Sequence, residues 1–525
     1  MSRRPRHLVL HPFLLAVYPV LHLYSANVGT SRLDEVWEPC GVLLTLACAF
    51  MLLGFLVYRD ARPAGVVASA ALLVVALYGK FSRPLNSLSI MGVTPFRHRL
   101  LVPAVLGVLL LLALTLWRRR EFWAGATRTL NMVAGVLVSL ALAQAAWAGA
   151  SLAAGEPLVA GLPIQLRTPV QHRPDIYVII ADEFARADVM QGVFGVDHSH
   201  LMDRLRALGF VVARRSVSNY WRTPPSLASF LHMEYLPGYR PKERNDTSQD
   251  PAWYAMVRRN RAMRFLRSQG YRVVVYPSGW EVTAAMEDVD LVVDTSPNLD
   301  EFRTLLIQAS LLSSLQDVLG LGPPQLDENT AHRNRIVKIL DTLQTRRNES
   351  GVPTFTFVHL PGPHFPLVLH ADGSPIEPQE LAKFGTAPEF SALPDEVQIK
   401  LYHAFYPGQA EYVARRLVQV ATELLDRSGP KPIILIASDH GVAITRNGAT
   451  EADRESQFVQ VRFPNLTALY MPGIREEDVD DISLVNTLRL VLRDTFQADL
   501  PPLPNRCFFV DEVTSQFYPG PGSPR

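Results

Sequence analysis

Residues 174–183 read PDIYVIIADE. From Ile176 to Ala181 six apolar residues follow one another without a polar break, and five of them are β-branched or aromatic. Such a run suits a strand buried on both faces of a parallel sheet, not a strand with one wet face. It ends in two acids, Asp182 and Glu183. Three other stretches repeat the pattern. PTFTFVHL (353–360) runs into PGPHFP and carries His359 and His364; PIILIA (432–437) runs into Ser438-Asp439-His440-Gly441; YRVVVY (271–276) runs into PSGW. Amphipathic helical patterns lie between them at 198–208, 331–346, 408–427 and 483–496. The expectation is an open α/β domain with a central, mostly parallel sheet. Ligands of such sheets gather outside the carboxyl ends of the strands.

A single Asp at a strand end is ordinarily a turn or helix-cap residue. Carboxylates and imidazoles at three ends of one sheet point instead to a site. Asp182 and Asp439 offer hard anionic oxygens and His440 a borderline nitrogen. That set suits Zn or Mn and does not choose between them.

Upstream of this domain the composition changes. Apolar residues make up 48% of the 525-residue chain and crowd into five runs near 8–25, 40–58, 64–79, 98–117 and 129–153. Each approaches the roughly 20 residues a membrane-spanning helix needs. Arg3, Arg4, Arg6, Arg59, Arg62 and the cluster Arg118–Arg120 with Arg128 outweigh the dissenting Lys80, Arg83, Arg97 and Arg99, while the first loop is acidic. The balance predicts a cytoplasmic N-terminus and five crossings of the cell (inner) membrane. The rest of the chain would then be periplasmic or extracellular. The expected organisation is a membrane domain over 1–155, a linker over 156–171, the α/β domain over 172–515 and a tail over 516–525. A net charge of +1 leaves no basic footprint for nucleic acid. Three Cys cannot build a disulfide framework or a Cys-based zinc site. No Walker or G-x-G-x-x-G signature is present.

The stretch SNYWRTPPSLASFLHMEYL (218–236) places Thr223 before Pro224, Pro225 and an apolar helical face of Leu227, Phe230 and Leu231. Thr223 reads first as an N-cap, worth roughly 1 kcal/mol. The same geometry suits a nucleophile, because a helix N-terminus carries partial positive charge and free N–H donors. A Thr hydroxyl is a poor nucleophile unless a metal acidifies and aims it. The acids and His440 supply ligands for one.

IIADEFARAD, TPPS, HLPGPHFP and SDHG, in this order, resemble the sulfatase-like branch of the alkaline phosphatase superfamily. The likeness is greatest to its polytopic membrane members, lipoteichoic acid synthases and lipid A phosphoethanolamine transferases. The resemblance implies an enzyme that moves a phosphoglycerol- or phosphoethanolamine-type headgroup through a covalent phospho-threonine. Its substrate would be a membrane lipid or lipid-linked glycan at the bilayer. It implies Thr223 as nucleophile and metal ligand, Asp439 and His440 as the final metal pair, and either Asp182 or Glu183 as the first ligand, with Asp182 preferred. His364 would contact the phosphate, with His359 as the alternative. Two departures stand out. T-P-P-S-L replaces the C/S-x-P-S-R of true sulfatases, so the usual sulfate-ester route is not expected. No His follows His440, so a single metal is the simpler expectation. Arg222 is a candidate clamp on a phosphate oxygen, Asn219 and Trp280 are candidates to line the pocket, and 367–400 is a candidate lid or a surface insertion. The alternatives are a phosphodiesterase or phosphatase with water as acceptor, and a non-catalytic membrane protein.

Overall fold

The computed structural model describes residues 8–28, 31, 33–86, 98–117, 122–154, 164–167, 173–236, 250–284, 286–293, 301–312, 314, 328–348, 351–384, 395–427, 430–444, 460–508 and 518–519. The chain forms two compact units: residues 1–155 with 299–326, and residues 156–298 with 327–525. The α/β domain expected over 172–515 is therefore drawn from two stretches of chain. Of the expected linker, 164–167 are described, and Leu166 bridges Ala498. The tail, apart from Tyr518–Pro519, and the arginines at 3–6, 97 and 118–120 lie outside the described residues.

The first unit holds five apolar helices, α1 (His11–Ala26), α2 (Trp37–Tyr58), α3 (Ala61–Asn86), α4 (His98–Trp117) and α5 (Phe122–Ala154). The last four of these contain spans long and apolar enough to cross a membrane; α1, with 16 residues, is the shortest. Leu52, Leu53, Val108, Leu110 and Leu111 are 60–64% exposed, which water would disfavour and lipid would not. Backbone groups in lipid need partners inside the protein. Asn131 of α5 provides them for the start of α1: its Oδ1 accepts from Leu10 N (3.0 Å) and His11 N (2.8 Å), and its Nδ2 donates to Leu8 O (2.7 Å). The returning segment 301–312 packs here too. Phe302 is buried with Val20, Val36 and Cys40, and Leu311 N donates to Val75 O.

The second unit is built on a seven-stranded sheet of order β2-β7-β6-β1-β5-β3-β4. Its strands are β1 (Ile176–Ala181), β2 (Val211–Val212), β3 (Arg272–Tyr276), β4 (Leu291–Val292), β5 (Thr354–Leu360), β6 (Ile433–Ala437) and β7 (Thr467–Tyr470). The four runs read from sequence are the four adjacent central strands β3-β5-β1-β6, all parallel; only β7 runs against them. Side chains of alternate residues separate into two cores, one per face. Ile176, Val178, Ile180, Phe355, Phe357, Leu435 and Ala437 pack beneath the helix Thr223–His232. Tyr177, Ile179, Ala181, Val358, Leu360, Ile434 and Ile436 pack against the long helix Asp395–Asp426. That helix begins a dozen residues before the amphipathic pattern suggested. The candidate lid also differs from expectation. Leu367, Val368, Leu369 and Ile376 are core residues, 395–400 open the long helix, and 385–394 lie outside the described residues.

Candidate active site

Strand register gathers the chemistry. Ile180 pairs with His359 on one side and with Ala437 on the other. Parallel partners point to the same face, and so do residues two apart. Asp182, two past Ile180, and Asp439, two past Ala437, therefore join His359 on the face covered by the Thr223–His232 helix. One ligand atom from each of Asp182, His359 and Asp439 lies within 4.8 Å of the others, and all three residues are buried. Glu183, one residue further on, belongs to the opposite face.

Thr223 meets this group from the helix above. It is the first helical residue, Arg222 is the N-cap, and no side chain caps the helix. The cap reading of Thr223 is thereby replaced: its Oγ1 donates to Asp182 Oδ2 at 3.4 Å and lies 3.1 Å from His440 Nε2. The helix end itself offers few donors. Pro224 and Pro225 carry no N–H, and Ser226 N already donates to Arg222 O at 3.1 Å. The sequence reading of a donor-rich N-terminus needs that correction.

Glu183 is engaged elsewhere. It turns out of the strand with φ +62°. Its carboxylate accepts from Ala443 N (2.7 Å), Arg462 Nη1 (3.0 Å) and Tyr402 OH (3.2 Å), and His364 Nε2 stands 3.4 Å from Oε2. Its carbonyl accepts from Tyr406 OH at 2.6 Å, and the same hydroxyl accepts from Ala185 N at 2.9 Å. Tyr406 is fully buried. Tyr406→Phe would orphan two buried backbone groups, each costing roughly 1–3 kcal/mol. We expect a melting midpoint several degrees lower in a thermal unfolding scan, with metal stoichiometry retained.

The donor set fits a divalent ion. Asp182 Oδ1 and Asp439 Oδ2 are buried with no hydrogen-bond partner among the described residues, a costly state unless a cation completes them. His440 Nε2 lies 3.2 Å from Asp439 Oδ2 and 3.8 Å from Asp182 Oδ1. His440 Nδ1 lies 3.0 Å from Gly441 O; donating there leaves the Nε2 lone pair facing the carboxylates. Burial, then the Arg462 charge, hold the His440 imidazole well below its ordinary pKa, so it is neutral and ligand-ready. Burial and the neighbouring Asp182 charge push the Asp439 carboxyl up to about 7. Burial would raise Asp182 as well, but His364, His359 and His440 outweigh it and keep that carboxyl below the ordinary range. Opposite shifts of this kind are what two buried carboxylates sharing one site show.

The other candidates separate cleanly. His359 Nε2 lies 3.1 Å from Asp182 Oδ2, and its Nδ1 lies 3.3 Å from Thr283 Oγ1. It is fully buried and orients a carboxylate, which differs from the expected contact with substrate. Asn219 is also buried: Nδ2 donates to Arg506 O and Oδ1 accepts from Val485 N, both at 2.8 Å, so its amide ties loops together and has no end left for substrate. The Arg222 guanidinium stands 5.7 Å from the Trp221 ring. His364 is half-buried at 31% side-chain exposure, and Trp280 packs edge-on against it at 4.7 Å. Arg462, Tyr402, Tyr406 and Thr283 were not read from sequence. Arg462 stands five residues ahead of β7, and local sequence does not mark it.

No protein-family model matches the chain, and no curated protein matches it. Solved structures do. The C-terminal periplasmic domain of EptC from Escherichia coli, in complex with Zn, is 15% identical with a TM-score of 0.41, over 68% of this chain and 92% of that one. The integral membrane lipooligosaccharide phosphoethanolamine transferase A from Neisseria meningitidis is 13% identical with a TM-score of 0.39, over 93% of this chain and 95% of that one. A phosphonate monoester hydrolase of Agrobacterium radiobacter is 13% identical with a TM-score of 0.38, over 62% of this chain and 74% of that one. At these identities and scores the functional reading rests on the residues of the site.

Proposed function

We propose that the chain is an integral membrane enzyme with an exported α/β domain, and that it transfers a phosphate-linked headgroup from a lipid donor through Thr223. One observation carries this reading: the Thr223 hydroxyl sits between the Asp182 carboxylate and His440 Nε2, beside two buried carboxylate oxygens with no hydrogen-bond partner among the described residues. Asp182, Asp439 and His440, with Thr223, would hold a Zn or Mn ion. When bound, that ion acidifies the hydroxyl and offsets charge on the phosphoryl oxygens. Thr223 Oγ1 attacks phosphorus of a diester; the Oγ1–P bond forms and the bond to the leaving alcohol breaks. The proton lost by Thr223 is balanced by the one gained by the leaving alkoxide. An acceptor alcohol then reverses the step and frees Thr223; with water as acceptor the reaction is hydrolysis.

We assign to His364 the proton that the leaving oxygen gains; its Nε2 lies 3.4 Å from Glu183 Oε2 and its Nδ1 2.6 Å from Phe365 O. Burial disfavours its imidazolium, but the Glu183 and Asp182 carboxylates outweigh burial and raise its pKa above the ordinary value. The charged form is lost as pH rises through that raised pKa. We expect kcat to fall along that alkaline limb and His364→Gln to flatten it in a pH–rate profile. An unchanged limb in the variant would assign it to another group. The reading as a whole is tested by intact mass of the full-length, metal-loaded protein after exposure to phospholipid vesicles. A mass increase on Thr223 supports it and names the group carried. A folded, metal-loaded protein with no adduct and no turnover on any phospholipid would overturn it.

A further inference from the structure

We propose that Arg462 is a catalytic residue that takes a non-bridging oxygen of the transferred phosphoryl group; this rests on the reading of Thr223 as the nucleophile. The site needs such a donor. Charge builds on the phosphoryl oxygens during transfer, and fixed donors aimed at it contribute the most. Beyond the Thr223 amide, the helix start supplies few such donors. Pro224 and Pro225 have no N–H, and the next amide, Ser226 N, is already used by Arg222 O. The Leu227 side chain, fully buried, is apolar, and no His follows His440 in the sequence.

Arg462 fills that gap. Its side chain is 7% exposed. Nε donates to Trp221 O at 2.6 Å, just upstream of the nucleophile. Nη1 donates to Gly441 O at 2.9 Å, just downstream of His440, and to Glu183 Oε1 at 3.0 Å. Those bonds lock the guanidinium plane between the two segments that carry Thr223 and His440. The third nitrogen is different. Nη2 bears two N–H groups and approaches one acceptor among the described residues, His440 Nε2, at 3.3 Å. That same ring nitrogen is 3.1 Å from Thr223 Oγ1. It is also the atom an ion would claim. Nη2 then has two unspent donors in a dry site beside the nucleophile, and an incoming phosphoryl oxygen is their natural acceptor. A cation needed only for structure would be complete with Nε and Nη1. Lys could not replace it, since a point charge cannot hold three partners and present a fourth.

The test uses the full-length protein loaded with Zn or Mn. Inorganic phosphate is the binding probe, read by calorimetry, and bis(4-nitrophenyl) phosphate the turnover probe. For Arg462→Gln we expect metal stoichiometry as in the wild type, phosphate affinity at least about tenfold weaker, and kcat reduced by about 10²–10³-fold. Arg462→Lys should fall between, and guanidinium ion added to Arg462→Ala should restore part of both signals. Unchanged phosphate affinity and kcat in the Gln variant would overturn the proposal. So would loss of folding in the Gln and Lys variants alike, or loss of metal without guanidinium rescue, since either makes Arg462 a structural residue. Phosphate affinity separates this inference from the reading it rests on. If the wild type forms no Thr223 adduct yet binds phosphate through Arg462, transfer fails while the anion contact stands.

Discussion

Thr223→Ala is expected to abolish the covalent adduct and to reduce turnover by at least about 10³-fold, while the protein folds and melts as the wild type does. The separation of the two effects follows from geometry. No side chain caps the helix, whose N-cap is Arg222, and the Thr223 hydroxyl faces Asp182, His440 and Asp439. Ala suits the first turn of a helix, and its methyl keeps the packing of the backbone there, so stability should shift by no more than about 0.5 kcal/mol. Removing the hydroxyl nevertheless removes the atom that must bond to phosphorus. Thr223→Ser, which keeps the oxygen, should retain a measurable fraction of the rate and still form the adduct. Turnover, intact mass and a thermal melt run in parallel decide the matter. An Ala variant with wild-type turnover would rule out a Thr223 mechanism; one that fails to fold would return Thr223 to a structural role.

Asp439→Asn is expected to do two opposite things. It should lower affinity for Zn or Mn by at least about 100-fold, because a ligand must contribute more than the outer-shell groups for which factors of that size are typical. It should also raise the stability of the metal-free protein at neutral pH. The sign follows from linkage. The folded-state pKa of Asp439 is pushed up to about 7 from 3.8 by burial and by Asp182. Between those values the folded chain holds a proton that the unfolded chain has released, so this group makes stability fall as pH rises from about 4 to about 7. Each unit of such a shift corresponds to about 1.4 kcal/mol, and the coupling to Asp182 makes the total a matter of a few kcal/mol. Asn carries no proton to lose. The difference in melting temperature between variant and wild type, both metal-free, should therefore grow across that window and level off above it. Wild-type metal affinity should rise over the same window, as the ion ceases to compete with the proton. Equal pH profiles for the two metal-free proteins would show that Asp439 is not held protonated, and undiminished metal binding by the variant would place the ion elsewhere.

Much of this site was legible in the chain. Asp182, Asp439 and His440 follow apolar runs that suit buried parallel strands, and those runs are central strands of the sheet. Thr223 was marked by the two prolines behind it. Two candidates have partners that local sequence does not show. His359 and Asn219 are polar residues near the right motifs, and sequence proximity made both look like substrate contacts. Their actual partners, Asp182 and Thr283 for one, Arg506 and Val485 for the other, lie far away in sequence. The candidate lid failed for a related reason. A Pro- and Glu-rich composition says nothing of Leu367, Val368 and Leu369 lying against the long helix.

Local sequence by itself determined what runs of apolar residues can determine: the four central strands of the seven, the apolar character of the first helices, four of which are long enough to cross a membrane where five crossings were expected, and which chemical groups stand at the ends of those strands. Tertiary structure alone separates Asp182 from Glu183. One residue of register places them on opposite faces of the sheet, and the side toward Thr223 is set by which helix covers which face. Tertiary structure alone also brought Arg462 to Glu183, Trp221 and Gly441, and grouped 299–326 with the membrane helices. A local pattern records whether a side chain is buried. It does not record what is buried beside it, because that depends on chain crossings hundreds of residues apart.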